Sequence, residues 1–403
     1  MLTQEENDLF TRVGPGTPCG EMLRRYWYPV AIANELTDEH PTKFVRLLGE
    51  DLVLFRDKSG RVGLLADHCS HRGASLLYGR VEERGIACAY HGWLYDCEGN
   101  ILETPPERND AIMKSVKHTA YPAQRFIGLI WAYMGPQPAP MIPPYDVWVR
   151  NDGHRKITVR PLLDCNWFQV MENSVDSAHA QILHQDTADR KTKPANSTRG
   201  FIDDIETYDY WMEDWGGLMK LRTWKNGVTD VHPVLFPNVL RYENRTQIRV
   251  PVDDTHTMHI AVDFMPTPDG SAADDDEEPP VRYLDPIKTP ADATYPAARY
   301  SLDTILEQDY MIWETQGLIA NRSREHLGNV DRGVVLLRQV LKDNIERVQQ
   351  GLDPVGIVRD PSVRVIDTNL TESMELVRPS GQRTDREGHT TVEIVEKTAS
   401  SPS

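Results

Sequence analysis

The chain has 403 residues, 39% hydrophobic and 26% charged, with a formal net charge of −17. That length can bury more than one core, the composition is globular, and no run approaches the roughly 18 apolar residues of a membrane span. So acidic a surface repels nucleic acid. The opening Met1-Leu2-Thr3-Gln4-Glu5-Glu6 lacks the basic and apolar regions of a secretory signal. Five cysteines (Cys19, Cys69, Cys88, Cys97 and Cys165) do not suit a disulfide framework, so a reducing cytoplasm is expected, with Cys97 a free thiol.

In chain order, Thr3 suits the N-cap of a first helix, with Glu5 and Glu6 near the positive end of its dipole. Residues 44–48, 52–56 and 61–66 read as short strands separated by turns at 49–51 and 57–60. Residues 95–100 form a hairpin turn, and 126–134 read as one strand. The Pro-rich stretch 135–144 cannot join a central strand. It sets the expected boundary between a first domain at 1–145 and a second at 146–368. Within the second, a strand at 156–163 leads into a helix at about 166–185. β-like segments run to about 265, an acidic loop covers 268–280, and helical periodicity returns at 297–319 and 330–350. The polar segment 369–403 is expected to be an extended arm or disordered. The fold class is α+β.

Two short pairs in the first domain carry chemistry. They are Cys69-Ser70-His71 and Cys88-Ala89-Tyr90-His91, sixteen residues apart. Each offers one thiolate and one imidazole. A [2Fe–2S] cluster of the Rieske kind places two Cys on one iron and two His on the other, which this order supplies. Zinc sites of mixed ligation more often pair Cys with Cys and His with His in sequence. A Cys69–Cys88 disulfide would leave both His without a role. Gly73 and Gly92 lie close to the two His, where loop backbone can approach the sulfurs.

A second constellation lies on the helix predicted at 166–185: Asp176, His179 and His184. Asp176 and His179 are neighbours at i, i+3. His179 and His184 fall roughly 140° apart on an ideal helix, so joint ligation requires the helix to distort or end between them. Two His and one carboxylate make the facial triad of non-haem Fe(II) oxygenases, with positions open to O₂. Asp309 is the chosen third ligand, with Glu307 and Glu314 as rivals on the same predicted helix.

Together these motifs resemble the terminal oxygenase subunit of Rieske non-haem iron aromatic-ring oxygenases, particularly the phthalate dioxygenase-like group. The resemblance covers residues 1 to about 365. It rests on Cys69-x-His71, Cys88-x-x-His91-Gly92-Trp93, Asn166-Trp167 through Asp176-x-x-His179-x-x-x-x-His184, Gln308-Asp309, and Gln316-Gly317-Leu318-Ile319 with Arg322-Ser323. It implies an N-terminal β-rich Rieske domain and a catalytic domain whose large antiparallel sheet is covered by helices. It favours Asp309 as iron ligand and places Asn173 near the iron. It further implies a head-to-tail homotrimer in which Asp176 bridges His91 of one subunit and His179 of the next. Electrons would come from NAD(P)H through a separate reductase, with or without a ferredoxin, because the chain has no GxGxxG after a strand. A Rieske electron carrier without oxygenase activity would need only about the first 110–150 residues by the size of small domains.

Within the group, Gly14-Pro15-Gly16-Thr17-Pro18, Arg24-Arg25-Tyr26-Trp27 and the extended C-terminus resemble O-demethylases of lignin-derived biaryls. That implies a methoxylated aromatic carboxylate as substrate and formaldehyde as product. Ring dioxygenases of phthalate or chlorobenzoate type share most of these features and would give a cis-dihydrodiol. Either substrate calls for a cation. Arg222 and Arg241 are candidates, with His259 as a further contact and Trp211, Trp215, Trp224 and Phe236 as possible aromatic lining or core.

Overall fold

The computed structural model describes residues 1–184, 205–225, 227, 229–273, 278–289, 299–368, 381–385 and 390–393. Parts of several expected elements lie outside these residues: the last residue of the helix at 166–185, the start of the β-like run that follows it (to 204), the helical stretch at 297–298, the middle of the acidic loop, and most of the polar C-terminal segment.

The first third is built of three small sheets. Thr42–Leu47, Glu50–Arg56, Val62–Ala66 and Ala120–Tyr121 form one, and Trp27–Ile32, Leu129–Tyr133 and Ala123–Phe126 another. The third contains Arg80–Glu82, Gly85–Ala87, Leu94–Tyr95 and Ile101–Glu103. The strand expected at 126–134 begins instead as a hairpin. Phe126 pairs with Leu129 across Ile127 and Gly128, both at positive φ (49° and 75°), the geometry of a two-residue primed turn.

The remainder is dominated by an 11-stranded sheet. Its main path runs Val281–Tyr283, Gly153–Leu163, Thr257–Pro266, Arg245–Pro251, Val239–Tyr242, Val234–Leu235, Gly217–Trp224, Ile205–Met212, Gly381–Asp385, Thr390–Glu393. Its ladders are antiparallel except where Val281–Tyr283 meets Gly153–Leu163. The polar C-terminal segment therefore adds two edge strands. The fold is α+β, with helices Trp167–Val175, Ile305–Thr315 and Arg332–Gln349 accompanying the large sheet.

One core joins both regions. It runs from Phe10 and Trp131 through Phe168 and Val262 to Leu341. A separate small core (Val53, Phe55, Leu65, Leu76, Ile86, Trp93, Tyr95) encloses Cys69 and Cys88. Helix Trp167–Val175 is fixed by sequence at its start. Asn166 accepts from the Phe168 amide and donates to the carbonyls of Thr11 and Asp254. Its flank is clamped by Glu172, which accepts from the guanidiniums of Arg322 and Arg338.

The helix expected at 166–185 is two pieces. Asp176 is extended (φ −71°, ψ 124°) and its Oδ1 accepts from the Ala178 amide at 2.7 Å. Such a side-chain turn competes with the helical ladder. A short helix restarts at His179–Ile182. This short helix ends at Ile182, between His179 and His184, whose ring nitrogens converge with Asp309.

Candidate redox and iron sites

Cys69 and Cys88 open two matching loops. In each, the Cys amide donates to the carbonyl five residues on (Ala74, Trp93), and the Gly four residues on (Gly73, Gly92) donates back to the Cys carbonyl. Gly73 and Gly92 take φ of 72° and 74°. The loops bring the His71 and His91 rings to 4.6 Å, and Trp93 stacks on His71 at 4.6 Å and 7°. Nδ1 of both His is buried and has no hydrogen-bond partner, while both Cys are buried. Two buried, unpartnered imidazole nitrogens on loops that open with two buried thiols are a donor set that fits a cluster of mixed Cys and His ligation. Tyr95 and Cys69 share a hydrogen bond at 2.9 Å from Oη to Sγ, and burial raises the Cys88 thiol.

The second set is equally concentrated. One ligand atom from each of His179, His184 and Asp309 lies within 4.8 Å of the others. His184 Nε2 is 3.3 Å and His179 Nε2 3.8 Å from Asp309 Oδ1. That oxygen is buried without a hydrogen-bond partner, as an oxygen awaiting a cation would be. Glu307 lies in the first turn of the same helix, where it caps Thr304. Glu314 is engaged by Lys288 and Tyr300. Neither rival joins the set.

Asp176 Oδ2 approaches His179 Nδ1 to 3.3 Å, close but off the hydrogen-bonding direction. Burial raises the Asp176 carboxyl, but His179, the Ala178 amide and Lys220 outweigh it and hold it low. Lys220 Nζ donates to the carbonyls of Ser174 (2.9 Å) and Asp176 (3.3 Å), which the broken helix leaves free. Burial pulls the Lys220 ammonium down to about 7.

A cavity of about 650 Å³ opens beside His179, His184 and Asp309, and Asn173 also lines it. One face of the large sheet forms its floor: Lys156 and Thr158, Lys220 and Arg222, and Arg245, Gln247 and Arg249. The spacing of two within each strand is that of side chains on a common face.

The sequence-selected substrate contacts distribute unevenly. Arg222 lines the cavity but is bound by both oxygens of Asp230. Arg241 is a correction: it pairs with Thr246 across the ladder, while its neighbour Leu240 pairs with the cavity residue Gln247. It therefore projects from the opposite face, onto Asp146 at 3.2 Å. His259 is a second correction. It does not line the cavity; it is buried under Tyr310 and Trp313, with Nδ1 2.7 Å from Tyr310 Oη. Burial holds its imidazole well below the usual range. Trp211, Trp215, Trp224 and Phe236 also do not line the cavity, and Trp224 and Phe236 are core.

Arg249 was missed by sequence reasoning. It is 1% exposed, lines the cavity, and donates only to Gln247, leaving Nε buried and unpartnered. Among the described residues it has no ion pair. Burial lowers its guanidinium to about 10, with the Asp309 carboxylate acting against that. The signal was the polar alternation Arg245, Gln247, Arg249 along one strand of a buried sheet.

Comparison with known proteins bears on both sites. A Rieske [2Fe–2S] domain model matches residues 26–121, and a model described as LigXa C-terminal domain like matches 299–379. The chain belongs to the terminal oxygenase subunits of the Rieske non-haem iron aromatic oxygenases. It is 37% identical over 375 residues to the 5,5′-dehydrodivanillate O-demethylase oxygenase subunit of Sphingobium sp. (strain NBRC 103272 / SYK-6), covering 90% of this chain and 85% of that one. It is 35% identical to the phthalate 4,5-dioxygenase oxygenase subunit of Pseudomonas putida, covering 88% and 89%. The fold is shared with NdmA of Pseudomonas putida CBB5 bound to caffeine (TM-score 0.59, 21% identity, covering 85% and 99%). It is also shared with a carbazole-bound oxygenase in complex with the ferredoxin of carbazole 1,9a-dioxygenase (TM-score 0.62, 18% identity, covering 87% and 98%). The protein is thus an oxidoreductase of the aromatic oxygenase type. No helix among the described residues is long and apolar enough to cross a membrane.

Proposed function

We propose that this chain is the oxygenase component of a multicomponent cytoplasmic system that O-demethylates a methoxylated aromatic carboxylate, of the biaryl kind released from lignin. The observation that carries the reading is the uncompensated, buried Arg249 guanidinium in the cavity beside His179, His184 and Asp309. A desolvated cation without an ion pair favours an anionic ligand. The 37% identity to an O-demethylase oxygenase subunit supports the reaction type.

In this reading Cys69, His71, Cys88 and His91 hold the [2Fe–2S] cluster, and His179, His184 and Asp309 hold one Fe(II). When bound, the cluster supplies single electrons and the iron activates O₂. The reaction balances as ArOCH₃ + O₂ + 2e⁻ + 2H⁺ → ArOH + HCHO + H₂O. A separate NAD(P)H-dependent reductase, with or without a ferredoxin, supplies the electrons. Arg249 orients the carboxylate, so that the methoxy carbon faces the two His and Asp309. Asp176 orients His179 and, in a head-to-tail homotrimer, accepts from His91 of the neighbouring subunit, which couples the two metal centres. Asn173 adds a polar group at the cavity wall.

Metal analysis tests the frame: about three iron atoms per chain, two in the cluster and one mononuclear. His179→Ala should lose only the mononuclear iron and all turnover, with the visible cluster spectrum unchanged. A variant that still turns substrate over with its reductase refutes the assignment. Incubation with methoxylated biaryl carboxylates and with phthalates decides the reaction. Formaldehyde supports O-demethylation. A cis-dihydrodiol supports ring dioxygenation instead, the reading favoured by the 35% identity to phthalate 4,5-dioxygenase.

A further inference from the structure

The imidazoles of the His179–His184–Asp309 set direct Nε2 at the same oxygen, Asp309 Oδ1, but are backed differently. Behind His179 Nδ1 stands the Asp176 carboxylate. His184 Nδ1 has the side-chain amide of Gln308 at 2.9 Å. Gln308 is 8% exposed and His184 5% exposed, so water has little access to this contact.

The direction of the hydrogen bond follows from a third group. Gln308 Nε2 lies 3.1 Å from the backbone carbonyl of Leu302. A carbonyl only accepts, so the amide must present its NH₂ there and its oxygen to His184. An amide oxygen also only accepts, so His184 must carry its proton on Nδ1. A neutral imidazole has one N–H, so Nε2 is left with its lone pair aimed at Asp309 and at any ion between them. The chain of constraint therefore runs from the Leu302 carbonyl to the ligating nitrogen of His184. We propose that Gln308 is a positioning residue that fixes the Nδ1–H tautomer of His184 and so preforms the iron site. The inference rests on the reading of His179, His184 and Asp309 as iron ligands.

The choice of an amide has a consequence. A carboxylate in this place would draw the Nδ1 proton and make the imidazole a stronger donor; a neutral amide fixes the tautomer without adding charge. The set thus has one carboxylate-backed and one amide-backed imidazole. With Asp309 as its only charged ligand, it keeps a low total negative charge, which favours Fe(II) over Fe(III).

The test uses the full-length protein with its cluster in place. Mononuclear iron is removed with a chelator and Fe(II) is titrated back anaerobically in competition with that chelator, with the cluster absorption as the check on folding. Gln308→Leu should weaken Fe(II) binding by about 10- to 100-fold, the range for loss of an outer-shell partner. Gln308→Glu keeps the acceptor toward His184 but loses the donor to Leu302. It should hold Fe(II) at least as tightly as wild type, and shift the EPR signal of the oxidised mononuclear iron. Equal affinity of the folded Leu variant and wild type overturns the inference. So does a folded Glu variant that loses iron as the Leu variant does, because then the tie to Leu302 and not the acceptor matters. Wild type that takes up no iron beyond the cluster refutes the site reading itself, which is a separate result.

Discussion

Gly73 and Gly92 hold equivalent places in the two Cys–His loops: each donates its amide to the carbonyl of the Cys four residues earlier, at φ of 72° and 74°. A side chain at such φ costs about 1–2 kcal/mol. The two sites differ in space. A Cβ at Gly73 meets nothing within 4 Å, whereas one at Gly92 lies 3.3 Å from Pro105 Cγ. Gly73→Ala is therefore expected to lower cluster occupancy modestly and Gly92→Ala more strongly. Iron and acid-labile sulfide per chain, with visible absorption, measure both.

The acid limb of stability should carry the mark of Glu172. Burial raises this carboxyl, but Arg322 and Arg338 more than offset it, so it sits below its ordinary value. A carboxylate depressed in the fold contributes fully above its unfolded pKa of about 4.3, and the contribution is lost as pH falls through the lower folded value. Glu172→Gln leaves the buried Arg322 guanidinium without a carboxylate, while Arg338 keeps Glu325. It is expected to cost about 3–5 kcal/mol at neutral pH and to flatten the dependence below about pH 4.3. Urea unfolding between pH 3 and pH 7 checks both statements.

The sites were legible in the sequence to the extent that their chemistry is carried by residue type. Cys and His at short spacing announce a redox or metal centre wherever the chain runs. The mutual demand of His179 and His184 already required the helix to distort or end between them, and the short helix His179–Ile182 ends there; the earlier break at Asp176, ahead of both His, was not legible. Side-chain direction was not legible. Arg241 and Arg222 are both buried arginines on strands of one sheet, yet ladder parity sends Arg241 to Asp146 on the far face. His259 has the parity of the cavity residue Asp263, but the helix Ile305–Thr315 covers it with Tyr310 and Trp313. Parity can be read from a sequence only once strand bounds are known, and the covering of a face depends on contacts distant along the chain.

Lys220 closes the end of the broken helix by donating to the carbonyls of Ser174 and Asp176. Lys220→Met removes both donors, and each orphaned buried carbonyl costs about 1–3 kcal/mol. Asp176 would then be less firmly held against His179. Electron transfer should slow while the cluster itself is untouched. In single-turnover mixing of reduced protein with O₂ and substrate, the variant should show slower cluster reoxidation with an unchanged cluster spectrum. Reoxidation at the wild-type rate would show that Lys220 serves stability alone.

Arg249 gives the most direct test of substrate class. It contributes a full positive charge at neutral pH, because a guanidinium lowered to about 10 stays protonated there. Its Nε is buried with no partner, while Arg222 and Arg245, nearby on the same face, are bound to Asp230 and Asp263. An anionic substrate therefore finds in Arg249 a buried guanidinium without an ion pair among the described residues. Losing a charged hydrogen bond costs about 1.5–3 kcal/mol, which corresponds to roughly 10- to 100-fold in affinity. Arg249→Met should raise KM by that factor for an aromatic carboxylate and leave KM for the matching methyl ester nearly unchanged. Iron content and the cluster spectrum should stay as in wild type. If acid and ester lose equally, Arg249 supports the cavity wall and does not bind the carboxylate.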